Sequence, residues 1–175
     1  MIFFLSSRLL PGFLLALASY ADWKGHRIPN LLTAGAACVG LVLALLSGWE
    51  VLKTSLIGFS AALAVGILFW LCGVFRAGDA KLYAALGMLL GWQGVLDCFL
   101  WSMLAAGVIG FFFLLSRGEL GSRLKRVLNY GKLLFLTRRF TPYAPKSGTE
   151  HEFPLAPFIA LGWLLSIFLP MFSVG

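Results

Sequence analysis

Apolar residues along this chain gather into long runs separated by short polar breaks. The runs cover residues 2–21, 31–47, 51–72, 75–92, 95–116 and 153–172. Crossing a hydrocarbon core of about 30 Å takes roughly 17–25 residues of helix, so each run is read as one transmembrane helix. Gly48-Trp49-Glu50 and Gly91-Trp92-Gln93-Gly94 are predicted tight turns between neighbouring runs, while residues 22–30 form a short polar loop. In that loop Pro29 is a break and Asn30 an N-cap for a helix starting at Leu31. The expectation is an all-α polytopic membrane protein, one domain over 1–175, with six transmembrane helices.

Two stretches need separate treatment. Ala80 to Gly91 would span only about 18 Å as helix, so that helix is expected to begin earlier, near Val74 or Phe75. Asp79 would then lie about one turn below the membrane surface. In the long polar loop 117–152, Arg123 to Phe140 interleaves Leu124, Val127, Leu128, Leu133, Leu134 and Leu136 with Arg and Lys. That pattern predicts a basic amphipathic helix on the inner leaflet, with a docking surface for a partner as the alternative. The first run ends in Ser19-Tyr20-Ala21, which resembles a signal-peptide cleavage site. Against that reading, its positive charge, Arg8, lies within the apolar run, near enough to its end to snorkel outwards.

Composition agrees with the pattern. The chain is 60% hydrophobic and 12% charged with a mean hydropathy of +0.92, whereas soluble domains are roughly 45–50% apolar and about 25% charged. Its 14 Lys and Arg against 7 Asp and Glu do not indicate nucleic acid, because eight of the bases fall between Arg117 and Lys146. With six spans, Lys24, Arg27, Arg76, Lys81 and those eight share one face, leaving Arg8 and Lys53 to the other. The positive-inside rule makes the first face cytoplasmic and puts both termini outside. Cys38, Cys72 and Cys98 stand singly inside apolar runs, giving neither a CxxC zinc site nor a disulfide framework. Consecutive side chains on a helix diverge, so Glu150-His151-Glu152 reads as helix-start electrostatics rather than a metal site. His26 reads as a surface residue, and neither metal nor cofactor is expected.

The same topology brings Asp22 and Asp79 to one side of the membrane. A carboxylate at the edge of a bilayer is costly and suggests function. Each has a lysine two positions later, Lys24 and Lys81. Two such carboxylates a few ångströms apart cannot both ionise, so the pair would hold a single proton. The ionised member would take a proton from water attacking a peptide carbonyl, while the protonated member hydrogen-bonds to the carbonyl oxygen and later protonates the leaving amine. Gly78, without a Cβ, would let an extended substrate backbone approach Asp79. Asp22 and Asp79 are therefore the candidate catalytic residues, and Gly78, Arg76, Lys24 and Lys81 the candidate substrate contacts.

Three segments carry a resemblance to a known family. Asp22-Trp23-Lys24-Gly25-His26-Arg27-Ile28-Pro29-Asn30, Ala77-Gly78-Asp79-Ala80-Lys81-Leu82 with Ala84-Ala85-Leu86-Gly87, and Phe153-Pro154-Leu155-Ala156-Pro157 resemble the type IV prepilin peptidase family. The chain is most similar to its short Tad or Flp-pilus members. The resemblance implies a GxGD-type aspartic endopeptidase of the inner membrane, acting on prepilin or pseudopilin precursors at the cytoplasmic face, with Asp22 and Asp79 as the catalytic pair. Longer members carry a cytoplasmic cysteine zinc motif and methylate the new pilin N-terminus. That motif is missing here, as is any domain ahead of the first span, so methyl transfer is not expected. Arg76 stands where the family motif has its first glycine, and snorkelling to lipid phosphate is the favoured reading of it. Depressing the pKa of the catalytic Asp79 and pairing with a substrate carboxylate are the alternatives. Two other readings of the chain stay open: a small proton- or cation-coupled transporter or channel subunit using the same aspartates, and an inactive pilus-assembly homologue. Oligomeric state is left open.

Overall fold

A computed structural model describes residues 2–25, 29–71, 75–116 and 155–172. Among these residues every regular element is helical: α1 (Ile2–Gly25), α2 (Asn30–Ser47), α3 (Trp49–Leu71), α4 (Ala77–Ser116) and α5 (Ala156–Phe168). Among the described residues three helices are long and apolar enough to cross a membrane, over Asn30–Ser47, Trp49–Leu71 and Ala77–Phe112. The expected amphipathic helix over 123–140, the Glu150-His151-Glu152 cluster, His26, Arg27 and Cys72 lie outside the described residues.

The two runs expected at 75–92 and 95–116 form one element whose direction changes at a single glycine. Gly91 has φ 72° and ψ 179° inside α4. A side chain would be strained there, and glycine is not. The Tyr83 and Phe99 rings, sixteen residues apart, would be separated by about 24 Å along an unbroken helix, yet their centroids are 5.4 Å apart. The chain therefore doubles back at Gly91, and α4 consists of a first arm ahead of it and a second arm after it. Tyr83 and Ser102 are hydrogen-bonded across the pair.

The first arm is the axis of the fold. Residues 82–89 are all buried, as expected of a helix apolar on every side with other elements around it. Its small residues set how close those neighbours come. Gly87 lies against Gly58 of α3, where a Cβ on Gly58 would stand 2.6 Å from the Gly87 carbonyl oxygen. Such backbone proximity is how apolar helices associate where lipid removes the hydrophobic drive between them. On the other side, Leu14, Leu15 and Ala18 of α1 and Ile159 of α5 complete the core around Leu82, Tyr83 and Leu86. The remaining apolar faces, including Leu45 and Leu46 of α2 and Ile57 and Leu68 of α3, point outward, which suits a lipid surrounding.

Three local expectations are corrected. First, α1 continues to Gly25, so Asp22 belongs to the end of a helix rather than to a loop. Lys24 in that last turn complements the negative end of the helix dipole. Second, Asn30 is the first residue of α2, and the cap position falls to Pro29, which makes no side-chain capping bond. Asn30 Oδ1 instead accepts from Lys81 Nζ at 2.8 Å, a charge-assisted bond stronger than one from a neutral amide. Third, α4 starts at Ala77, not at 74 or 75. Its first turn is closed by the Arg76 carbonyl, which accepts from Asp79 N and Ala80 N.

One buried carboxylate had no counterpart in the sequence reading. Asp97 of the second arm is 1% exposed. It accepts from Met171 N at 3.1 Å and Phe172 N at 3.0 Å. One turn further along, Trp101 Nε1 donates to the Leu169 carbonyl at 2.9 Å. These bonds supply partners for the backbone beyond α5, where intrahelical ones have ended. Cys38 is exposed and Cys98 buried, both as free thiols.

Candidate active site

Asp79 occupies the third position of α4, and its placement follows from how that helix begins. Asp79 Oδ2 accepts from Arg76 N at 3.0 Å, the reciprocal half of a capping box, in which the third helical side chain reaches back to the cap residue. A carboxylate in the first turn also faces the positive end of the helix dipole. Asp22 finds a similar environment at a different helix. Its Oδ2 accepts from Ala156 N at 3.2 Å, and Ala156 opens α5, whose first turn contains a proline. Each carboxylate thus sits at a helix N-terminus, one within its own helix and the other across the fold.

Arg76 joins them. Its Nη1 lies 3.5 Å from Asp22 Oδ1, with the Arg76 side chain 35% exposed and that of Asp22 3%, while its backbone N–H holds Asp79. The guanidinium is turned onto Asp22, which corrects the expectation that it snorkels to lipid phosphate. The reason is energetic: an ionised carboxylate out of water is strongly unfavourable unless paired and hydrogen-bonded. Arg76 is thus the contact that Asp22 and Asp79 share. Asp22 and Asp79 are 2% and 4% exposed, so both carboxylates are buried.

The other predicted contacts lie around this pair in different ways. Gly78 is half-buried in the first turn of α4, directly beside Asp79. Lys81 is exposed and committed to Asn30, tying α4 to α2. Lys24 is exposed two residues after Asp22. Sequence reasoning missed two members of the site, the guanidinium as bridge and the α5 N-terminus as holder of Asp22. The second had a legible signal in Ala156-Pro157, because proline just inside a helix start leaves N–H groups ahead of it needing acceptors.

Membrane-length helices around two buried carboxylates and a bridging arginine define a helical membrane protein with a site capable of acid/base work. The chain belongs to the type IV leader peptidase family, whose sequence pattern matches residues 9–111, a range containing both Asp22 and Asp79. Two curated relatives, both prepilin leader peptidase/N-methyltransferases of Aeromonas salmonicida and one from strain A449, are each 33% identical over 122 residues. Those matches cover 66% of this chain but 42% of each relative, so the chain spans less than half of their length. No solved structure matches the chain.

Proposed function

We propose that this protein is an aspartic endopeptidase that removes the leader peptides of type IV prepilins or pseudopilins, of the Flp type, at the cytoplasmic face of the inner membrane. The observation that carries the reading is the meeting of Asp22 and Asp79 around Arg76 in a chain of this family. In this scheme one aspartate takes a proton from a water whose oxygen attacks the scissile carbonyl carbon. The other, protonated, hydrogen-bonds to the carbonyl oxygen and so stabilises the tetrahedral oxyanion. As that intermediate collapses, the carbonyl re-forms, the C–N bond breaks and the leaving nitrogen takes the proton of this second aspartate. The products are a leader ending in a carboxylate and a mature chain with a new amine. Gly78 is the position over which an extended substrate backbone would pass, with Lys24 and Lys81 flanking it. The proposal covers cleavage alone.

The reading includes an arrangement in the membrane: six spans, with the two α4 arms counted separately, both termini periplasmic and the loop 117–152 cytoplasmic. Twelve of the fourteen Lys and Arg then lie inside, a bias that one charge would not reverse. Labelling of single introduced cysteines is expected to find residue 125 cytoplasmic and residues 49 and 93 periplasmic. A periplasmic residue 125 would put the aspartates on the wrong face for a leader peptidase. The direct test of function is a purified preparation incubated with an end-labelled prepilin. The expected result is shortening of the substrate by the length of its leader, and an intact substrate would overturn the peptidase reading.

A further inference from the structure

Arg76 touches both carboxylates, and it does so with two different groups. The backbone N–H donates to Asp79 Oδ2 at 3.0 Å, and the guanidinium lies 3.5 Å from Asp22 Oδ1. The other oxygen of Asp22 is held at 3.2 Å by the Ala156 N–H. The Asp22 carboxyl plane is therefore fixed by one donor from each of two elements other than its own, the residue that caps α4 and the start of α5. The backbone contribution of Arg76 is available to any non-proline residue, but the guanidinium contribution is not.

We propose that Arg76 is a positioning residue of the aspartate pair: it ties Asp22 of α1 to the first turn of α4 and so sets where the Asp22 carboxyl stands relative to Asp79. The proposal rests on the peptidase reading for its kinetic consequence, not for the tie itself. Lysine retains a charge that reaches Asp22 but lacks the planar fork of arginine. Glutamine retains length and polarity without charge. Among the described residues the other charged groups by the pair are Lys24, which is exposed on α1, and Lys81, which is engaged with Asn30, so neither takes the place of the guanidinium.

Two measurements on the full-length protein test this. In cleavage of a prepilin, Arg76→Gln is expected to lower kcat about tenfold or more, since small displacements of a reacting group are costly. KM should stay within about twofold, because the lost interaction positions a catalytic group rather than binding substrate. Arg76→Lys should recover most of the lost kcat. In thermal unfolding of Arg76→Gln, Asp22→Asn and the double variant, the two single shifts are expected not to add, because each deletes the same contact. Additive shifts, or an unchanged kcat in Arg76→Gln, would overturn the proposal while leaving the peptidase reading intact. A wild-type protein that never cleaves would instead overturn the peptidase reading, and non-additive shifts would still support the tie.

Discussion

Asp22→Asn and Asp79→Asn are each expected to reduce leader cleavage by a factor of about 1,000 or more, with the protein still inserted and folded. General acid and general base contributions are typically worth about 100- to 10,000-fold each, and neither aspartate can perform both roles in one turnover. The substitutions are also mild structurally. Asparagine is nearly the same shape, and at 79 its carbonyl oxygen still accepts from Arg76 N. At 22 it still accepts from Ala156 N but forfeits the charge pairing with Arg76, so a modest loss of thermal stability accompanies the loss of activity there. Initial cleavage rates at equal membrane content, read beside unfolding temperatures, separate the two effects. Near-normal turnover in either variant would remove that residue from the mechanism. The companion Glu150→Gln with Glu152→Gln should remain active, and its failure would move the acid site to the last loop.

Gly87→Val is expected to be the most destabilising single change outside the site, costing about 3 kcal/mol or more by the usual scale of overpacking. A Cβ on Gly87 would collide with the Gly58 carbonyl and stand 2.8 Å from Phe59 N. Those neighbours are backbone, so no rotamer change relieves the clash and α3 must separate from the first arm of α4. The control is Gly107→Val, where a Cβ would meet nothing within 4 Å. It should unfold at close to the wild-type temperature. Because Asp79 is carried on the displaced arm, Gly87→Val should also lose cleavage in the fraction that survives folding. Equal unfolding temperatures for the two variants would mean that α3 and α4 do not pack through their glycines.

Much of the architecture was legible because a bilayer removes most of the choices. A run of about 20 apolar residues with no water to satisfy its backbone has little alternative to a helix, and that is why 31–47 and 51–72 nearly coincide with α2 and α3. Helix ends were harder. Asp22 lies in a helix because partners from α4 and α5 make its burial tolerable, and a window of local sequence contains neither. Asn30 looked like a cap from its neighbours, yet a lysine 51 positions away claims its side chain.

The candidate site divides the same way. Asp22 and Asp79 stand out from charge placement alone, since carboxylates are scarce in so apolar a chain and the Lys and Arg bias predicts both on one face. Asp97 escaped notice because its partners are backbone N–H groups at the far end of the chain, Met171 and Phe172, which no motif announces. Arg76 is visible in the sequence, but which carboxylate its side chain meets is not, because direction is not encoded in sequence spacing.

By itself, then, the sequence determined that the long apolar runs among the described residues are helical and which acids are out of place. Those follow from one-dimensional quantities: run length, charge count and local composition. Only the tertiary structure decided that α4 reverses at Gly91, that the start of α5 meets Asp22, and that Arg76 holds one aspartate with its backbone and the other with its side chain. Each of these joins atoms far apart along the chain or fixes a side-chain direction. They are settled by packing around the first arm of α4 and by the cost of leaving a buried carboxylate without donors.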